Sequence, residues 1–144
     1  MSGCLVDCTT DLQQSGSASP LTLDIGGEGR HPFAWNLNPS RVKTVGPQTG
    51  QPIPRLIVGR ADAIPLADDS VSVIIVERTP LRLAALREIW RVAAAGALIV
   101  LRHARPPWSD PHQLAANVFD APCRRVLHPL GCHFLQESVF TKRT

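Results

Sequence analysis

Several short stretches of this 144-residue chain set a polar side chain beside a backbone that can turn sharply. Asp24 opens Asp24-Ile25-Gly26-Gly27-Glu28-Gly29, Asn38 precedes Pro39, Asp62 stands in Gly59-Arg60-Ala61-Asp62-Ala63, and Glu77 follows the apolar run Val71–Val76. Ionised carboxylates only accept hydrogen bonds, so Asp24, Asp62 and Glu77 suit an ammonium, an amine or hydroxyls, while Asn38 can both accept and donate. Gly26, Gly27 and Gly29 allow a tight turn and a close approach of a ligand to the main chain. Next to Asp62, the backbone N–H of Ala63 could meet a ring nitrogen. Proton transfer would fall to Glu77, His31 or His103, of which His103, just past Ala97–Leu101, is the first choice. Each position also has a plainer reading: a tight turn, a turn-forming Asn, a surface acid, an ion-paired Glu, a hydrogen-bonded His.

These residues matter only if the elements bring them to one edge. Leu21–Ile25, Ala34–Asn38, Leu56–Gly59, Val71–Val76 and Ala97–Leu101 read as short apolar strands. Between the second and third lies a loop, residues 39–54, holding Pro39, Pro47, Pro52 and Pro54. A loop of that length in a compact domain is functional or mobile. Leu81, Leu83, Ala84, Leu86, Ile89, Trp90 and Val92 recur at helical spacing, and Gly96 is expected to end that helix. Asp110 and Pro111 are expected to start another, running to Phe119. Arg124–Leu127 and His133–Thr141 read as a hairpin around Pro129-Leu130-Gly131. The alternation predicts an α/β, Rossmann-like, mostly parallel sheet with an antiparallel C-terminal hairpin strand. In such sheets ligands bind at the carboxyl edge, where the polar residues above fall.

In this order the pieces resemble class I S-adenosylmethionine (SAM)-dependent methyltransferases over about residues 21–104. Leu23-Asp24-Ile25-Gly26-Gly27-Glu28-Gly29-Arg30 looks like the family's first motif. Ala61–Val71 is similar to its acidic motif and the stretch before the fourth strand. Ala85–Val92 followed by Ala95–Val100 resembles the family's helix, glycine turn and fifth strand, and is the most specific block. The resemblance implies SAM as cofactor, with Asp24 near its ammonium group and Gly26, Gly27 and Gly29 along its amino-acid part. Asn38 would face the ribose, Asp62 and Ala63 the adenine, and Glu77 the methyl-transfer end. The acceptor implied is a small molecule. The glycine turn is one residue short of the family pattern, and Asn38 replaces an acid. Both features point to the alternative: a catalytically degenerate domain acting as a binding or interaction subunit.

Composition narrows the classes. Apolar residues make up 44% and charged residues 19%, enough for one buried core. Residues 1–19 are expected to be a flexible N-terminal segment, with residues 20–144 a single domain. A net charge of +3, carried mostly by scattered arginines, does not form the dense basic patch of a nucleic-acid binder. No apolar run approaches a membrane span, and the start lacks a signal-peptide pattern, so a cytoplasmic protein is expected. Its four cysteines are then reduced thiols. Cys123, His128, Cys132 and His133 match no compact zinc spacing, so no metal is expected. An open site on so small a domain predicts a homodimer or a partner subunit.

Overall fold

A computed structural model describes residues 20–143. The flexible segment expected at residues 1–19, with Cys4 and Cys8, lies outside the described residues.

Among the described residues, seven strands form one sheet: β1 (Thr22–Ile25), β2 (Trp35–Asn38), β3 (Leu56–Val58), β4 (Val71–Val76), β5 (Ala93–Arg105), β6 (Cys123–Leu130) and β7 (His133–Thr141). Helix α1 (Leu83–Val92) joins β4 to β5, and α2 (Gln113–Phe119) joins β5 to β6. The spatial order is β3-β2-β1-β4-β5-β7-β6. Neighbours from β3 through β5 pair in parallel, while β7 runs antiparallel to both β5 and β6. This is the α/β, Rossmann-like sheet with an antiparallel C-terminal hairpin that the alternation of elements predicts.

Strand alternation sends Leu23, Ile25, Ile74, Val76, Ile99 and Leu101 to one face, all at most 1% exposed. Leu86, Ile89 and Val92 of α1 and Ala115 and Phe119 of α2 complete the same apolar cluster. Trp90 stacks on Phe119, which meets Phe140 of β7 edge-on. Asp24, Asn36 and Asn38 project to the opposite face and are buried there. No helix among the described residues is long and apolar enough to cross a membrane.

Three local expectations change. Helix α1 ends at Val92, because Ala93 turns extended and pairs with Val71. Gly96 (φ +80°) lies inside β5, where the register shifts between Val71 and Val73. Its conformation serves a bulge rather than a helix end. Helix α2 starts at Gln113, with Asp110 accepting the His112 N–H at 2.8 Å in a turn ahead of it. The hairpin reverses at Gly131-Cys132, with Leu130 opposite His133, so Pro129 lies within edge strand β6. An edge strand tolerates a proline because one side of its backbone has no strand partner.

The most family-specific block of sequence has a structural role. Arg91 donates to the Ile64 carbonyl at 2.8 Å, the Leu66 carbonyl at 2.9 Å, Glu88 at 2.6 Å and Asp68 at 2.7 Å. Glu88 in turn accepts the Ile64 N–H at 2.9 Å. Two side chains one helical turn apart thus hold the β3–β4 loop, and Asp62 within it, against α1. Hydrogen bonds to Glu88 and Asp68 keep the Arg91 guanidinium firmly charged. Arg91→Ala is expected to lower the thermal midpoint by several degrees and to speed amide exchange across residues 61–69 while β4 and β5 stay protected. Unchanged exchange in that loop would remove the clamp.

Candidate functional site

Order reverses between β1, which leads outward to β2 and β3, and β4, which leads to β5. A cleft opens at such a switch point beyond the carboxyl ends of the strands. Here it holds a cavity of about 510 Å³, within the size range of small-molecule sites. Gly26 follows β1, Asn38 ends β2, Gly59 to Asp62 follow β3, and Arg78 to Pro80 follow β4; all line it. Two glycines let its wall pack closely on neighbouring residues. A Cβ on Gly26 would stand 2.3 Å from the Thr79 hydroxyl oxygen, and one on Gly59 would stand 2.9 Å from the Pro65 ring.

Of the residues singled out from sequence, Gly26, Asn38 and Asp62 line this cavity, and Gly29 lines a smaller one beside it. Asp62 is exposed, with Arg60 3.6 Å away in a weak surface pair. Asn38 is already engaged: its amide donates to the Gly27 carbonyl and its oxygen accepts the Ser40 N–H at 2.9 Å. One lone pair remains free. Ala63 lies outside the wall, and its N–H closes a turn onto the Arg60 carbonyl at 3.1 Å, so it is not directed at a ring nitrogen.

The glycine turn differs most from expectation. Gly27 packs directly over Asp24 and Asn36, leaving no room for a Cβ: it would lie 2.5 Å from the Asp24 carboxylate and 2.3 Å from Asn36 Oδ1. Asp24 is therefore sealed beneath the turn and lines neither cavity. Among the described residues it is the one buried side chain whose polar atoms have no hydrogen-bond partner. Burial pushes its pKa up, against the pull of Arg30 and His31. The N–H groups of Gly26, Gly27 and Gly29 go to the Leu37 carbonyl, the Asp24 carbonyl and Asn36 Oδ1. The turn therefore offers a ligand close approach rather than free donors.

Glu77 and His103, the proton-transfer candidates, both stand off the cavity wall. Glu77 accepts from His31 at 2.7 Å, Arg30 at 2.8 Å and Arg102 at 3.0 Å. Burial raises its pKa, but these donors outweigh burial and hold the carboxyl below its usual range. It ties the β1–β2 crossover to β4 and β5. Glu28 acts alike on the next loop, accepting from the Thr44 hydroxyl at 2.6 Å and from the Thr44 and Val45 N–H groups. Here too burial pushes up and the Thr44 and Val45 bonds pull down further.

His103 belongs to a chain of defined direction. Its Nε2 lies 3.0 Å from the Thr79 carbonyl, which can only accept, so Nε2 carries the hydrogen. Nδ1 then accepts from His112 Nε2 at 2.9 Å, and His112 Nδ1 accepts the Ser138 hydroxyl at 2.7 Å. Burial lowers both histidine pKa values, that of His112 to about 4, with His103 the next contribution at His112. Protonating His112 would turn its Nδ1 from acceptor to donor and require the Ser138 hydroxyl to reverse. The pair is a structural joint between the rim, α2 and β7.

In sequence the chain matches no family model and no curated protein. Its structure is similar to a SAM-dependent methyltransferase from Thermotoga maritima described as a possible histamine N-methyltransferase (TM-score 0.59, 14% identity, 92% of this chain and 87% of that one). It is similar also to a 16S rRNA (adenine(1408)-N(1))-methyltransferase from Catenulisporales acidiphilia, solved with SAM (TM-score 0.59, 14% identity, 92% and 89%). A third likeness is to an arsenic(III) SAM methyltransferase from Chlamydomonas reinhardtii (TM-score 0.58, 14% identity, 87% and 64%). The fold is that of the class I SAM-dependent methyltransferases.

Within this methyltransferase fold, sequence reading missed Glu28, Thr44, Val45, Arg78, Thr79 and Arg82 of the cavity wall. Thr79 and Arg82 flank Pro80 just past a strand end, which was the available signal. Thr44 and Val45 reach the wall only through the Glu28 latch, which no local pattern announces.

The histidine joint has a pH signature. Both rings are neutral in the fold, while unfolded histidines take up protons near 6.5, so the unfolded state binds more protons between about pH 6.5 and 4. Stability is full above 6.5 and falls as pH drops through that window, by up to about 3 kcal/mol from His112 alone. Urea midpoints measured from pH 7.5 to 5 should fall steadily, and His112→Gln should flatten the slope. A flat profile in the unaltered protein would contradict the assignment of neutral rings.

Proposed function

We propose that this chain binds SAM in the rim cavity and transfers its methyl group to a small-molecule acceptor. The observation that carries the reading is a cavity of about 510 Å³ at the switch point of this fold, walled by two glycines and bounded by an accessible acid. The residues fit the group. Asp62 would accept from the adenine amine, the remaining lone pair of Asn38 would meet a ribose hydroxyl, and the main chain at Gly26 would lie along the amino-acid end. Asp24 would meet the ammonium only after the Gly27 turn shifts.

Bound SAM supplies a methyl group already activated on a sulfonium. What the chain must add is position: displacement is in line, and holding an acceptor at the right approach is the main source of rate. Glu28 is engaged by Thr44 and Val45, and Glu77 and His103 stand off the wall. The protein therefore orients the acceptor, and the acceptor brings its own nucleophilic lone pair. Glu28 contributes by pinning residues 44 and 45 along the cavity.

Calorimetry with SAM or S-adenosylhomocysteine is expected to give saturable binding. Asp62→Ala should weaken it about 3- to 10-fold, as one partly solvated charge-assisted bond is lost. Absence of heat and of any thermal shift at roughly millimolar SAM would end the reading, since even a Kd of about 1 mM corresponds to measurable binding.

A further inference from the structure

Beside the main cavity lies a second, of about 250 Å³, sharing Gly26, Glu28, Val45 and Arg78 with it. That space is worth about eight water molecules, enough for a small group only. Its charge is one-sided. Arg30, Lys43 and Arg78 line it, and the single acid on its wall is Glu28. Glu28 supplies one negative charge against three positive ones, and its oxygens are held by Thr44 and Val45 rather than by a direct bond to any of the three cations. Among the described residues Arg78 makes no hydrogen bond or ion pair, and the Lys43 ammonium bonds only the neutral Gln48 amide oxygen, at 2.6 Å. Arg30 is paired with Glu77, but that one carboxylate also serves Arg102. Cations that outnumber the acids around them in a partly enclosed space form a site for an anion.

We infer that this second cavity binds an oxyanion group, carboxylate or phosphate, on the methyl acceptor, with Arg78 and Lys43 as its principal contacts. The inference rests on the SAM reading of the main cavity. Arg78 lines both spaces, so an anion anchored there leaves the rest of the acceptor facing the cofactor space. In the transfer, a lone pair of a second acceptor atom forms the bond to the methyl carbon. The carbon–sulfur pair returns to sulfur, and the anchored oxyanion is unchanged. Anchoring by charge also suits a wall whose one accessible carboxylate, Asp62, is given to the adenine, because it positions the acceptor without asking the protein to remove a proton.

The test uses the whole chain saturated with S-adenosylhomocysteine, titrated at low ionic strength with inorganic phosphate and, separately, with succinate. Thermal shift and calorimetry should show saturable binding of at least one, weakening as salt rises. Its preference between the two names the source of the oxyanion. Arg78→Gln and Lys43→Gln should each weaken anion binding about tenfold, while Arg78→Lys, which keeps the charge, should retain most of it. Circular dichroism verifies folding of each variant. Unsaturable anion effects, or binding indifferent to these substitutions, would overturn the inference. So would competition between the anion and S-adenosylhomocysteine, which would assign the cations to the cofactor's own carboxylate. If the nucleoside fails to bind while phosphate still binds through Arg78 and Lys43, the SAM reading falls and the anion site stands.

Discussion

Nine residues, 26–34, carry the chain from the end of β1 back to the start of β2. Parallel neighbours ordinarily need a dozen or more, commonly with a helix between them. The return succeeds here because the strands are four residues long, about 13 Å. The constraint extends across half the sheet, since none of the crossovers from β1 to β4 contains a helix. What a helix does elsewhere by packing an apolar face, this half does with polar side chains. Glu77 holds the first crossover through Arg30 and His31, and Glu28 holds the second through Thr44 and Val45. Asn36 fastens both, accepting from Gly29 and donating to the Pro54 carbonyl at 2.8 Å. The Glu88–Arg91 pair holds the third.

That construction explains why several expected site residues turn out to be fasteners. An acid at a strand end can face a ligand or hold a loop. Where the loop lacks a helix of its own, the fold takes the acid. Glu77, with three donors, and Asn38, with both ends of its amide engaged, have been recruited in this way. Asp62 remains accessible because its loop is gripped instead by Arg91 through main-chain carbonyls at Ile64 and Leu66. The site that results is a cavity walled by glycines and loop backbone, with cations rather than bases at its β4 end.

The two halves also differ in what holds them against acid. On the helical side the joint is a pair of neutral histidines fixed by Thr79 and Ser138. On the loop side it is a set of carboxylates held charged by arginines and main-chain donors. Protonation undoes both, the histidine joint at the higher pH, since neutral rings begin to lose ground at pH values where carboxylates are still ionised.

Patterns of a few residues determined the element order by themselves. Apolar runs named β1 to β5, helical spacing named α1, and Gly26 to Gly29 marked the turn where a ligand can approach. These are local properties, set by side-chain burial and backbone sterics within one segment. Tertiary structure decided the rest. Whether Asp24 faces a cavity depends on where Gly27 folds, and that depends on Asn36, a residue of the neighbouring strand. Whether His103 is a base depends on His112 and Ser138, contributed by α2's leading turn and β7. Gly96 reads as a helix end until Ala93 pairs with Val71. A hydrogen bond is satisfied by whichever donor or acceptor lies nearest in space, and no spacing along one chain records which that is.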